Sequence, residues 1–279
     1  MITLVQAAAH DGNSALEVFG VVMPEMDQHR DILGIRVAAF GWRQALAELQ
    51  RALNGDGPQR IFNFLNANNA NLAMRDPGYR KGLARCEVLP DGIGVDIASR
   101  ALHGTAFPAN LNGTDFIPAL LVHSERPLKI ALIGARPEIL ESAVAKFRLS
   151  TPWHEFHTVS DGFFDKSDTS KILDRLAAID PDITLVAMGS PWQEIWIDSN
   201  IRQGHGRVVF GVGALFDFVS GAVPRAPQLI RDLRLEWVWR LVQEPSRLWY
   251  RYIVGNPLFL YHVFRYKLLG AGRTPQVPA

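Results

Sequence analysis

The feature that most constrains this chain is a unit that recurs three times: an apolar run that ends on glycine and passes directly into a helical pattern. The copies are "KIALIGARPEILESAVAKF", "ITLVAMGSPWQEIWIDSNI" and "RVVFGVGALFDFVSG". Continuous apolar runs belong to strands covered on both faces, and a helix after each strand suits a parallel sheet. The expected fold is therefore α/β, a mainly parallel sheet flanked by helices. The 279 residues, 48% of them hydrophobic, suffice for a core of that size.

Upstream segments fit the same scheme. "GIRVAAF" suits a strand or its approach, "GWRQALAELQRALNG" has helical spacing, and "RIFNFLNA" is a second strand whose carboxyl end delivers Asn66 and Asn68. "NLAMRDPGYRKGLARC" reads as a helix interrupted around Pro77, and "CEVLP" as a strand opening onto Asp91. Residues 1–30, proline-broken and polar at "PEMDQHRD", read as a weakly determined arm, and 31–226 as the core. Ligands of parallel sheets bind at the carboxyl ends of strands, where amides and helix N-termini meet an anion. Asn66, Asp91, Gly134, Gly189 and Gly211 are expected along one such edge. A single glycine there merely permits a tight turn. Three in succession, beside Asn and Asp, point to a nucleotide-type cleft.

The net charge of +1 conceals a sorting. From Arg225 onward nine Arg and Lys face three Asp and Glu, a net of +6, which leaves −5 on the first 224 residues. The same tail carries three Trp, four Tyr and two Phe, with Leu229, Leu233, Trp237 and Leu241 at helical spacing. Gly255, Asn256 and Pro257 are expected to break its second helix. Residues 227–279 thus read as an amphipathic helical appendage suited to an anionic bilayer surface, or equally to packing on the core or on another subunit. A lone cysteine, Cys86, excludes a disulfide framework and fits a reducing compartment. With no apolar run long enough to span a bilayer and no signal-type start, the expected address is cytoplasmic.

Most catalytic signatures are missing. "GVGALF" places Phe216 where a dinucleotide fingerprint needs its third glycine, and no G-x-x-x-x-G-K-[ST] loop occurs. Asp180-Pro181-Asp182 precedes a strand, at the edge opposite the proposed cleft, and suits a turn better than a metal. The histidines are scattered, and His154 and His157 flank a probable strand without metal-ligand spacing. Ser190 lies outside any nucleophile elbow, and Cys86 suits a packed position. Neither metal nor cofactor is expected. Pro90-Asp91-Gly92 by itself is ordinary turn chemistry. Asp96 should fall inside the following helix and matter less than Asp91.

What remains is a set of polar strand ends: Asn66, Asp91, "NGTD" (Asn112, Gly113, Thr114, Asp115), "GSPWQE" (Gly189, Ser190, Gln193, Glu194), Gly211 and Gly213 of "GVG", and Arg225 of "RAP". In this order and spacing, from about Arg60 to Tyr252, the set resembles the WecG/TagA/CpsF glycosyltransferase family. Further matches are "FLNANNANLAMRDPGYRKGL", "LPDGIGVDIASRALHG", "SDGFF" and "LRLEWVWRLVQEPSRLWYRY". The resemblance implies a Rossmann-like core with a C-terminal appendage that engages membrane. It also implies transfer of a sugar from a nucleotide-sugar to a lipid-linked acceptor at the cytoplasmic membrane face. Asp91 takes the place of the family's proposed base, with Asn66 and Gln193 in the same pocket. Phe64 stands where many relatives carry Thr and Asn110 where they carry Arg, and both bear on the donor sugar. "NLNGTDF" resembles the exopolysaccharide branch, which includes hexosyl transferases.

The mechanism expected from the resemblance is inverting displacement on a UDP-sugar without a metal. An Asp91 of ordinary acidity, pKa about 4, is already ionised at neutral pH. Amides at the Gly134, Gly189 and Gly211 turns and Arg225 would meet the leaving diphosphate. Arg234, Arg240, Arg247 and Arg251 would meet lipid headgroups or the acceptor diphosphate. The expected partners are the donor, a polyprenyl-diphosphate-linked sugar and the membrane surface, with no nucleic acid and with a homo-oligomer left open. Two rivals stand beside this reading: an NAD(P)-dependent oxidoreductase resting on "FGVGALFD", and a non-enzymatic scaffold held at the membrane by the tail.

Overall fold

The structure, a computed structural model, describes residues 28–124 and 126–270. Its elements run β1 (His29–Ile32), β2 (Ile35–Ala38), α1 (Trp42–Asn54), β3 (Arg60–Leu65), α2 (Ala67–Ala73), α3 (Pro77–Ala84), β4 (Glu87–Pro90), α4 (Ile93–His103) and α5 (Gly113–His123). They continue as β5 (Lys129–Gly134), α6 (Pro137–Ser150), β6 (Glu155–Ser160), α7 (Thr169–Ile179), β7 (Ile183–Ala187), α8 (Trp192–Asn200), β8 (Val208–Gly211) and α9 (Leu215–Ser220). The tail holds α10 (Gln228–Asp232), α11 (Glu236–Gln243), α12 (Pro245–Trp249) and α13 (Gly255–Leu269).

Eight strands form one sheet in the order β1-β2-β4-β3-β8-β7-β5-β6, parallel except for β1. The alternation along each strand sorts its side chains to two faces. Phe62, Phe64, Ile130 and Leu132 join α1, α5, α6 and α9 on one side. Leu65, Val88, Ala131 and Ile133 meet helices on the other, α2, α3, α4 and α13 toward one end and α7 and α8 toward the other. The expected α/β class and flanked parallel sheet are thus what the chain forms. Asp182, expected in a turn, accepts Arg126 Nη2 at 2.6 Å and Lys129 N–H at 2.9 Å, and Asp180 caps α7 in the left-handed region.

Three local details differ from the sequence reading. Most of the arm lies outside the described residues, but His29 and Arg30 already belong to β1. Leu33 and Gly34, both at positive φ, close a two-residue hairpin to β2. The polar "HRDI" gave no apolar signal because this strand is at the sheet edge. The break expected at Gly255-Asn256-Pro257 is absent. A π-helical turn, Tyr250–Val254, carries α12 into α13, and Gly255 N–H reaches back to Tyr250 O. Pro257 falls in the first turn of α13, where its missing N–H costs little.

The tail's apolar residues divide. Phe259, Val263 and Tyr266 are buried against α2 and α4, while Leu229, Leu233, Tyr261, Phe264 and Leu268 are exposed. Asn71 Nδ2 donates to Gly255 O at 2.7 Å and Tyr266 Oη to Asp31 Oδ1 at 2.8 Å. The last helix is therefore joined to the core by both apolar and polar contacts.

Candidate active site

The parallel order β4-β3-β8-β7-β5 puts the ends that carry Asp91, Asn66, Gly211, Gly189 and Gly134 along one edge of the sheet. Four inter-strand steps of ~4.8 Å make this edge roughly 19 Å long, with Asp91 near one end and Gly134 near the other. Asp91 N–H bonds Leu65 O at 2.9 Å, and Leu111 N–H bonds Pro90 O at 2.9 Å. Gly92 has φ of 90° and donates its N–H to Asn110 Oδ1 at 2.8 Å. That conformation favours glycine, so the Pro-Asp-Gly turn is a backbone requirement as well as a site for the acid.

Asn66 caps α2 by accepting Asn69 N–H on Oδ1 at 3.0 Å. Its amide orientation follows: Nδ2 is left to donate to Asp91 Oδ2, at 3.2 Å. Asn68 follows in the first turn of α2, and Asn69 Nδ2 bonds Phe64 O at 3.0 Å. Burial is the largest influence on Asp91 and pushes its carboxyl above the ordinary value of 3.8. The Asn66 hydrogen bond and the cations Arg251 and Arg240 act the other way, while Asp115 adds to the rise. This differs from the unperturbed aspartate expected of the sequence, because burial disfavours the charged carboxylate.

Asn112 caps α5 through Asp115 N–H at 3.0 Å, and its Nδ2 donates to Asp115 Oδ2 at 2.9 Å. The other Asp115 oxygen takes Arg225 Nη2 at 2.8 Å, and Arg225 Nε lies 2.9 Å from Glu236. Arg225 and Arg240 both lie over the Phe218 ring, 5.5 and 5.0 Å from its centre. Gly113 and Thr114 open the same helix, and the Phe64 ring fills the space a side chain at 113 would need. Arginines of the tail therefore converge on the acidic end of the sheet edge, around Asp91 and Asp115.

At the β7 and β8 turns the polar side chains bond to one another and to the backbone. Gln193 and Glu194 are buried in the first turn of α8, and Gln193 Oε1 accepts Gly213 N–H at 3.0 Å. Ser190 Oγ and Gln193 Nε2 both donate to Glu194 Oε1, at 2.7 and 2.9 Å. Burial pushes the Glu194 carboxyl up. Gln193 and Glu194 thus brace the Gly211–Gly213 turn from behind. A Cβ at Gly211 would collide with Asn63 Oδ1, so this close approach requires glycine.

The other two predicted tail arginines carry ion pairs. Arg247 pairs with Glu244 at 2.5 Å, and Arg234 pairs with Asp96, which is buried and also accepts Phe107 N–H at 3.2 Å. Asp96, expected to matter less, is thus a buried charge held by the tail. Sequence reasoning also passed over Asn110 as an Asp91-turn partner, Glu236, and buried Tyr79. The sequence marks Asn110 only as standing where relatives carry Arg; the Asx-type pattern of "ANLNG" is the signal for its role at the turn. Cys86 is packed as expected: its thiol donates to Gly82 O, and burial pushes it to about 12. His154 bridges Leu121 O and Leu128 N–H inside the core. Phe216 is buried among α5, α6 and α9, so the "GVG" turn lacks a dinucleotide helix approach. Among the described residues no group of three or more His, Cys, Asp or Glu is placed to hold a metal ion.

Comparison with known proteins fits this geometry. The chain is 30% identical over 201 residues to an N-acetylglucosaminyldiphosphoundecaprenol N-acetyl-beta-D-mannosaminyltransferase of Bacillus spizizenii, a match covering 71% of this chain and 76% of that protein. The model of the glycosyl transferase WecG/TagA/CpsF family matches residues 30–273, all of the sheet but His29 and all of the described tail. On that match, and on the strand-end constellation it encloses, the chain belongs to the WecG/TagA/CpsF family of glycosyltransferases.

Proposed function

We propose that the chain is an inverting transferase that moves a sugar from a UDP-sugar to a polyprenyl-diphosphate-linked sugar, in the assembly of a cell-surface polysaccharide. The observation that carries this reading is Asp91, turned toward Asn66 and under the influence of Arg240 and Arg251 from the tail. Asp91 accepts the proton of the acceptor hydroxyl as that oxygen bonds the anomeric carbon, and UDP departs with the electrons of the broken bond. A carboxyl raised by burial is a stronger base once ionised, which favours this step at neutral pH.

The donor's diphosphate would lie near the Gly189 and Gly211–Gly213 turns at the carboxyl ends of β7 and β8, without a metal ion. Arg225 would meet the leaving diphosphate, and Arg240 and Arg251 the acceptor's diphosphate nearer Asp91. The relative's name supports an acceptor of the N-acetylglucosaminyl-diphospholipid class. For the donor, a UDP-hexose and a UDP-N-acetylmannosamine are the two classes to compare, the first favoured by "NLNGTDF". Residues 31–226 would form the catalytic core and 227–279 a membrane-associating appendage on the inner face of the cell membrane. No helix among the described residues is long and apolar enough to cross a membrane. The exposed Tyr261, Phe264 and Leu268 support surface attachment.

The test is UDP release from a panel of UDP-sugars with synthetic lipid-linked monosaccharides, repeated with Asp91→Asn and in EDTA. Release that depends on both substrates and disappears in Asp91→Asn is expected. Unchanged turnover in the variant would remove Asp91 from the mechanism, and loss in EDTA restored by magnesium would overturn the metal-free step.

A further inference from the structure

We infer that Asp96 and Arg234 form a clamp that positions the tail's arginines over Asp91, so that Asp96 is a positioning residue for the acceptor side of the reaction. The inference rests on the transferase reading of the Asp91 cleft. Asp96 lies in the first turn of α4, the helix that starts directly after the Asp91–Gly92 turn. Its side chain is 4% exposed. One oxygen takes the Phe107 N–H, and the other faces the Arg234 guanidinium. A carboxylate so placed needs that cation, because an unpaired buried charge is strongly unfavourable.

Arg234 is the middle of the three residues between α10 and α11, and it adopts φ of 58°, where glycine is the usual occupant. Its N–H bonds Arg231 O at 2.8 Å and the Leu235 N–H reaches Ile230 O at 2.9 Å, so α10 stops sharply and the chain re-enters as α11. An arginine at such a turn gains nothing from the backbone; its side chain supplies the reason for its presence by reaching Asp96. The two helices that meet there carry Arg231, Glu236 and Arg240, which lie around Asp115 and Asp91. No residue of α11 is buried, so apolar packing alone holds this strap weakly. The ion pair fixes it to the same helix that carries the Asp91 turn.

Hydrogen exchange on the full-length protein reads the clamp without reference to activity. Arg234→Ala and Asp96→Asn are each expected to speed exchange across residues 228–243 about tenfold or more while β3, β7 and β8 keep their protection, with Arg234→Lys restoring most of it. In the UDP-release assay the same two variants should raise the acceptor KM about tenfold or lower kcat/KM as much, and leave stabilisation by UDP in a thermal-shift assay unchanged. The double variant should lose no more than the worse single. Unchanged protection, additive losses, or equal loss of UDP binding would each overturn the clamp. Should Asp96→Asn misfold, Arg234→Ala alone decides, since its side chain reaches Asp96 from the surface. If the unaltered chain transfers no sugar, the transferase reading fails while the exchange data still decide the clamp.

Discussion

The turn at Asp91 combines two demands on neighbouring residues, and they can be separated by substitution. Asp91→Asn keeps the shape and the Asn66 contact but removes the proposed base. Turnover is expected to fall by about 10²–10⁴-fold, measured as UDP release, while UDP still stabilises the fold. The folded carboxyl binds its proton more tightly than the unfolded chain does, since burial raises it. Its contribution to stability is therefore greatest at low pH and declines as pH rises through the window above 3.8. At neutral pH Asp91→Asn should consequently be as stable as the parent or more so, and a lower midpoint in urea would contradict that. For the same reason the acid limb of kcat/KM should lie above the ordinary aspartate range. Gly92→Ala tests the other demand: with φ of 90° it should cost about 1 kcal/mol or more in urea unfolding, whatever it does to rate.

At the scale of elements, α13 belongs to two environments. Its inner stripe, Phe259, Val263 and Tyr266, completes the core over α2 and α4. Phe259→Ala should cost about 3–5 kcal/mol by chemical denaturation, the range for emptying a buried aromatic site. Cutting the chain after Pro227 would remove this stripe and expose the apolar faces of α2 and α4. Such a truncation cannot isolate a membrane role. The outer stripe can: Phe264 and Leu268 are 61% and 69% exposed, so changing them with Tyr261 to Ser leaves the core intact. That triple variant should keep its Tm and lose much of its binding to vesicles containing anionic lipid, as measured by co-sedimentation. Equal binding would place the attachment elsewhere.

At the scale of the whole molecule, the division of charge along the chain becomes a division across a cleft. The strand ends supply Asp91 and Asp115, and the basic tail folds back to set Arg225, Arg240 and Arg251 against them. On the transferase reading proposed above, a dianionic diphosphate would meet cations already placed, an attraction stronger than in water where the site is desolvated. Attachment to anionic vesicles should weaken as salt rises from 0.05 to 0.5 M, because the Debye length falls from roughly 14 to 4 Å. Binding that is indifferent to salt would show that the aromatic face acts alone.

How much of this was legible in the sequence follows from the range of each interaction. The three apolar-run-to-glycine units determined the parallel sheet and the edge on which Asn66, Asp91 and Gly211 meet, because strand and helix periodicities are local and every copy points the same way. The polar edge strand β1 escaped notice because it lacks that periodicity, and the continuous helix through Gly255 and Pro257 because a π-turn depends on its surroundings. Asp96 looked like a spare helix residue, and nothing local marked Gln193 as a partner of the Gly213 turn. Their partners, Arg234 and the Gly213 amide, lie 138 and 20 residues away. The sequence alone therefore determined the class of fold, the family motifs and the residue types at the strand ends. Which arginines reach Asp91, which acids are buried, and which face of the tail stays open were decided only by tertiary packing, since burial and charge pairing arise between segments that no local pattern connects.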